Sequence, residues 1–412
     1  MKMDGGDTAW LLTSAALVMF MTVGLALFYG GLVRAKNVIG TIMQSFVALA
    51  LVSVIWVVVG YSLAFGPDHG RVIGGFDFVL LHGVGATPSP LAPTVPATAY
   101  MAFQLMFAII TPALIAGAFA ERMKFSGYLM FIGLWSLLVY SPVAHWVWGG
   151  GFLGSGGLHA LDFAGGAVVH ANAGAAALAT ALYLGKRVGH GELKFTPHNV
   201  PMVVLGAGIL WFGWFGFNAG SALASGALAS SAFVNTQLGA AAAMLSWMLV
   251  EWLTTGKAGS LGAAAGAVAG LATITPAAGY VQPWAALIIG AAAGVVCFGV
   301  VNIKGRFAYD DSLDVVGVHL AGGALGVLLI GPFASLAINA AGAAASASLF
   351  GRQVVLALVT VAYSFLMTMV LLKVTDLIVG LRVSAEDEGG GLDASEHGEA
   401  AYLWIEVTAP PG

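Results

Sequence analysis

Charge is scarce in this chain. Of its 412 residues only 8% are charged, against 59% hydrophobic, whereas soluble domains carry about 25% charged residues. Water is therefore not the main solvent of the folded chain. Basic residues are the scarcer kind, 15 against 19 acidic, for a formal net charge of −4, so no nucleic-acid partner is expected. Cysteine is nearly absent: Cys297 stands alone in an apolar run, which excludes an intrachain disulfide framework and a cysteine-based metal site. The segment from Met1 to Ala9 pairs Lys2 with Asp4 and Asp7 and lacks the basic start of a signal peptide. The first apolar stretch is thus read as a retained spanning helix. No nucleophile or metal constellation stands out, so the chain is expected to be no enzyme and to need no cofactor or metal.

What is present is apolar length punctuated by glycine, 58 residues of it. Small side chains inside apolar runs favour close helix packing in a bilayer. Taking roughly 20 apolar residues per span, eleven transmembrane segments are predicted. They lie near 9–32, 41–65, 97–120, 126–146, 164–184, 200–220, 229–253, 259–277, 284–303, 314–337 and 353–380. The sides reached after odd-numbered spans hold twelve basic residues, among them Arg34, Lys36, Arg122, Arg187 and Lys304. The other side holds three: Lys2, Arg71 and Arg352. Positive charge marks the cytoplasmic face, so the N-terminus is expected outside and the C-terminus inside. This divides the chain into a transmembrane domain, 1–383, and a cytoplasmic tail, 384–412. The stretch from Gly66 to Pro96, rich in proline and poor in charge, reads as an ordered cap on the outer face. Trp146 reads as part of an interfacial aromatic belt. The acidic tail, with Glu386, Asp387, Glu388, Asp393, Glu396 and Glu399, reads as a solvated end.

Ten of the spans suggest two halves of five plus a final helix. Leu161-Asp162 precedes one intramembrane histidine and Leu313-Asp314 precedes another. Ile110-Thr111-Pro112 returns as Ile274-Thr275-Pro276. Five being odd, the halves would form an inverted-topology repeat, an arrangement that places transport sites between the halves. The predicted fold class is an all-α polytopic membrane protein.

Ionisable groups inside spans are costly and usually functional. His170 and His319 are the main candidates, with Asp162; His145, Glu121, Glu251 and Asp314 lie nearer span ends. Imidazole handles protons near physiological pH, and two neutral rings can share one hydrogen bond. A lone buried histidine more often satisfies a neighbour, but two at equivalent places of a repeat favour function. Phe103 and Phe107 recur at i, i+4; Trp214, Phe217 and Ser221 at i, i+3, i+7. Aromatic stripes are usually packing, yet with Trp148 nearby these rings could cage a small cation through their faces. Asp162 could cap a helix or attract charge.

These residues sit in longer strings: Phe28-Tyr29-Gly30-Gly31-Leu32-Val33-Arg34, Trp148-Gly149-Gly150-Gly151, and Leu161-Asp162-Phe163-Ala164-Gly165-Gly166 running to Val169-His170. Others are Pro197-His198-Asn199, Trp214-Phe215-Gly216-Phe217-Asn218-Ala219-Gly220-Ser221, Gly317-Val318-His319, Gly391-Leu392-Asp393 and His397-Gly398-Glu399. In this order, over essentially the whole chain, they resemble the ammonium transporter family (Amt/MEP, with Rh proteins as distant relatives). The resemblance implies conduction of ammonium or ammonia, and possible methylammonium use, across the cytoplasmic (inner) membrane. It implies that Trp148, Phe107 and Ser221, with Phe103 alongside, shape an outer recruitment site supported by Asp162. Phe107 and Phe217 would gate it. His170 and His319 would line the pore, with Trp214 beside them. It further implies a homotrimer in the lipid bilayer, a tail that couples subunits, and a PII-type signal protein as a partner at the cytoplasmic face. The tail here runs on past Tyr402 as Leu403-Trp404-Ile405-Glu406.

Overall fold

The computed structural model describes residues 3–307 and 309–402; Lys2 and the tail after Tyr402 lie outside the described residues. Ten helices are long and apolar enough to cross a bilayer. In chain order they are α1 (Gly5–Leu32), α2 (Ala35–Phe65), α3 (Ala97–Phe119), α4 (Phe125–Val147), α5 (Gly166–Leu184), α6 (Val200–Gly220), α7 (Ala227–Thr255), then α9 (Pro283–Arg306), α10 (Val316–Phe333) and α11 (Ala347–Ile378). A shorter apolar helix, α8 (Ser260–Ile274), completes the series. Together they fit the eleven predicted segments.

The differences at the ends have local causes. α8 stops three residues before the expected 277 because Thr275 and Pro276 open a turn. It needs no full span, since it is buried among its neighbours along most of its length, where irregular backbone is tolerated at membrane depth. α11 starts at Ala347 rather than near 353, because the Ser346 side chain accepts from Leu349 N and caps it. Large apolar side chains such as Leu253, Leu358 and Leu377 point outward, as a lipid-facing surface requires. Polar residues are turned in: Thr111, Asn172, Asn218 and Thr275 are fully buried.

The loop between α2 and α3 is ordered, as expected, and holds two small antiparallel hairpins. One pairs β1 (Asp68–His69) with β2 (Ile73–Gly74), the other β3 (Pro88–Ser89) with β4 (Ala92–Pro96). Trp146 does not join an interfacial belt. It is buried, and its indole N–H donates to Val72 O at 2.7 Å, tying α4 to the first hairpin.

α5 and α10 meet at the centre of the molecule with a reciprocal geometry. Each opens with a wide π turn carrying a histidine, Gly166–Ala171 and Val316–Leu320, a distortion often found at functional sites. Each turn follows a left-handed residue, Gly165 (φ 116°) or Asp314 (φ 63°). Each has an aspartate three residues further back, Asp162 or Asp311. Four residues beyond each histidine stands a glycine. A Cβ on Gly174 would lie 2.3 Å from Leu320 N, and one on Gly323 would lie 2.8 Å from the His170 Cβ. Each histidine turn therefore presses on the glycine of the other. The same 149-residue offset that separates the histidines maps Asp162 onto Asp311, not onto Asp314 as the Leu-Asp dipeptides suggest. Asp314 corresponds to Gly165, the left-handed position.

The tail is not a solvated end. After α11 it forms α12 (Ala385–Gly390) and α13 (Leu392–His397), packed against the helix ends. Glu388 and Asp393 are buried. Glu388 accepts from Val188 N at 2.6 Å and from Arg382 at 2.9 Å. Asp393 accepts from Gly40 N, and Glu396 from Phe125 N. Asp393 and Glu396 thus accept from N–H groups at helix starts, where negative charge is favoured, and Glu388 from a loop N–H after α5.

Candidate functional site

A line of three cavities runs through the molecule between the two five-helix halves. The outer one, about 220 Å³, opens beside the α2–α3 loop and is lined by Phe103, Phe107, Trp148 and Ser221, with Tyr100 and Gln104. Phe103 and Phe107, one helical turn apart, stand with centroids 4.9 Å apart, and Phe107 meets Trp148 edge-on at 5.9 Å. Trp148 is fixed by its indole N–H, which donates to the Asp162 carbonyl at 2.9 Å. The Ser221 hydroxyl donates to Phe217 O at 2.8 Å, leaving its lone pairs as acceptors. Ring faces plus an acceptor suit a small cation.

At the floor of this cavity Phe107 and Phe217 pack with centroids 4.3 Å apart and close the path. Beyond them lies a middle cavity of about 10 Å³, lined by Phe217, Trp214, His170 and His319, just large enough for one water-sized molecule. His170 and His319, both buried, approach Nδ1 to Nδ1 at 3.2 Å. One Nδ1–H must donate to the other ring. This leaves one bare Nε2 acceptor and one Nε2–H donor, and His170 Nε2 has no protein partner. Trp214 stacks on His170 at 5.3 Å, its indole N–H held by Thr275 Oγ1 at 2.8 Å. The Ile-Thr-Pro motif of α8 thus positions a pore residue.

The inner cavity, about 320 Å³, begins at His319 and Tyr29 and is lined further by Glu251 and Asp314. Tyr29 touches both the middle and inner cavities and donates to Leu114 O at 3.0 Å. Reading of the sequence missed Tyr29, Tyr100 and Gln104. A polar tip inside an apolar span was the available signal in each case.

Asp162 does not line any of these cavities. Its two oxygens accept from four backbone N–H groups, Gly165, Gly166, Ala167 and Val168, at 2.7–3.1 Å. It caps the His170 turn, and its carbonyl holds Trp148.

Around the inner mouth the loops are locked by buried ion pairs. Glu121 accepts from Arg34 and Arg187, and Arg187 forks onto Asp310 at 2.8 and 2.9 Å. The guanidinium groups of Arg34 and Arg187 both lie over the Phe195 ring, 4.7 and 4.1 Å from its centroid. Burial pushes the Glu121 and Asp310 carboxyls up, but the arginines outweigh it and hold both below the usual range. Asp311 has weaker compensation. Burial, opposed by Lys304 and reinforced by Asp314, pushes its carboxyl up to about 6.

The profile of the Ammonium Transporter Family matches residues 9–402. An ammonium transporter of Bacillus subtilis is 49% identical over 405 residues, 97% of this chain and 99% of that one. An ammonium transporter of Aquifex aeolicus is 50% identical over 410 residues, 97% of this chain and 94% of the other. Among solved structures, Candida albicans Mep2 superposes with a TM-score of 0.88 at 36% identity, covering 93% of this chain and 88% of that one. A sensor Amt protein superposes equally well, TM-score 0.88, at 28% identity over 95% and 98% of the two chains. With relatives matched along nearly their whole length and a family profile spanning the same residues, the chain belongs to the ammonium transporter family.

Proposed function

We propose that this protein conducts ammonium across the cytoplasmic membrane by capturing the cation outside, stripping its proton and passing neutral ammonia along the paired histidines. The observation that carries this reading is the His170–His319 contact at 3.2 Å, set in a one-molecule cavity behind two closed phenyl rings. The twelve-to-three bias of basic residues supports the orientation with the outer cavity outside.

A charged group at the bilayer centre costs at least about 2.5 kcal/mol, and the middle cavity, about 10 Å³, has no room for a hydration shell around it. Ammonium escapes that cost by handing its proton to the bare Nε2 of the pair. The shared Nδ1 proton shifts across and the other ring's Nε2–H leaves inward, so charge crosses with the ammonia. Potassium, of similar size, has no proton to give. Trp148, Phe103, Phe107 and Ser221 concentrate the cation. Phe107 and Phe217 admit it one molecule at a time by ring rotation. The free Nε2 acceptor and the Nε2–H donor then match ammonia, which both donates and accepts. Trp214 keeps the His170 ring in its plane. Asp162 assists by holding Trp148 and capping the His170 turn, and its carboxylate adds a favourable field to the outer site.

The test is a solid-supported-membrane current measurement on proteoliposomes given ammonium, methylammonium and potassium pulses. Ammonium current without potassium current is expected from the native protein. His170→Ala and His319→Ala are each expected to lower it by at least about tenfold, as loss of a proton-handling group does. Full selective current in both variants would remove the pair from the mechanism.

A further inference from the structure

His145 lies outside the line of cavities, yet its surroundings hold it firmly in place. The ring is fully buried at the outer end of α4. Its Nδ1 stands 2.9 Å from Ala64 O and its Nε2 2.8 Å from Asp68 Oδ1. A carbonyl oxygen can only accept. The Asp68 carboxyl, on the exposed hairpin, is held below its usual range by the hydrogen bond with His145. Both ring nitrogens are thus engaged by neighbouring oxygens, which hold the ring from two sides. Ala64 belongs to the last turn of α2. The charged groups near the ring are few. Arg71 N–H bonds the other Asp68 oxygen at 3.1 Å, and the Arg71 charge acts on Asp68. The His69 and Asp77 side chains both approach Gly75. α4 from Ser141 onward and the turn after it bring no other titratable group.

This ring sits under the turn that carries Trp148. His145 O accepts from Gly149 N and Gly151 N at 3.0 and 2.9 Å. A Cβ on Gly149 would fall 2.2 Å from Ala64 O, so the turn rests directly on the carbonyl that His145 grips. Phe152 N and the Trp146 indole then bond Arg71 O and Val72 O of the hairpin.

We propose that His145 is a positioning residue, a ring clamped between Ala64 and Asp68 that fixes the Trp148 turn and so sets the affinity of the outer site for its cation. The inference rests on the recruitment reading of that site and extends it to groups that never touch the cation. It is tested with the full chain in proteoliposomes, measuring half-saturating ammonium and maximal current for the native protein, Asp68→Asn, Asp68→Glu and Trp148→Ala. Without the carboxylate the ring loses its charged partner at Nε2. Asp68→Asn should therefore raise half-saturating ammonium about fivefold, the scale of losing one ring–cation contact, with maximal current nearly unchanged. Asp68→Glu should restore the native half-saturation. If Asp68→Asn does not assemble, Asp68→Ser is read the same way. A native half-saturation in the charge-free variant, with Trp148→Ala weakened, overturns the clamp. So does a loss of maximal current at unchanged half-saturation. An unaltered half-saturation in Trp148→Ala sinks the recruitment reading itself.

Discussion

At the His170 turn, Asp162 commits both oxygens to four backbone N–H groups. At the His319 turn, Asp311 accepts from Val316 N at 2.7 Å with one oxygen, and the other has no partner among the described residues. The left-handed residue differs likewise, a glycine in one turn and Asp314, paired with Lys304, in the other. The two turns share a backbone plan and a mutual contact, yet one is hydrogen-bonded to saturation and the other keeps spare polar capacity beside the charged inner mouth. The comparison teaches that the repeat is a device for bringing two rings together.

Breaking the saturated side should have the largest effect. Asp162→Asn keeps the shape but replaces two of four acceptor sites with an N–H₂ group. At about 1–3 kcal/mol for each buried N–H left unsatisfied, the variant should unfold at clearly lower temperature in detergent and lose ammonium current. A melting point equal to that of the native protein would show that the cap is dispensable. Next in size are the reciprocal glycines. Gly174→Ala pushes a methyl group against the Leu320 backbone and Gly323→Ala against the Gly166 carbonyl, each costing about 1–3 kcal/mol by overpacking. Both should depress current together, because either one parts the rings. An effect confined to one of them would break the reciprocity.

The smallest effect belongs to the unsaturated side, and its sign is opposite. With the Asp311 carboxyl pushed up to about 6 against about 3.9 in an unfolded chain, its ionised form is disfavoured in the native state. Its contribution to stability therefore improves as pH falls from above 6 towards 4 and is lost as pH rises through 6. Asp311→Asn, which can still accept from Val316, should match or exceed native stability at pH 7.5, by up to about 2 kcal/mol. It should also flatten the difference between pH 5 and pH 7.5 in thermal unfolding. A variant markedly less stable at neutral pH would show that the free oxygen has a partner in solution.

Much of the fold could be read from the chain because lipid imposes length and hydropathy on every span. The expected 200–220 coincides with α6, and the histidines were singled out by being ionisable in apolar surroundings. What escaped depends on partners distant in sequence. The tail acids read as solvated because nothing local says that Gly40, Phe125 and Val188 offer them N–H groups. Trp146 read as a belt residue because its acceptor, Val72, lies 74 positions away. The repeat was aligned on a Leu-Asp dipeptide, whereas counting back from each histidine leads to Asp311. Asp162 and its cap were within reach of the sequence; its carbonyl bond to Trp148 was not.

The middle cavity, with room for a single water-sized occupant, imposes a queue. Molecules cannot overtake one another at that point, so inward and outward traffic must compete for the same berth. Unlabelled ammonium added inside vesicles should then slow the entry of a labelled tracer more steeply than independent movement allows.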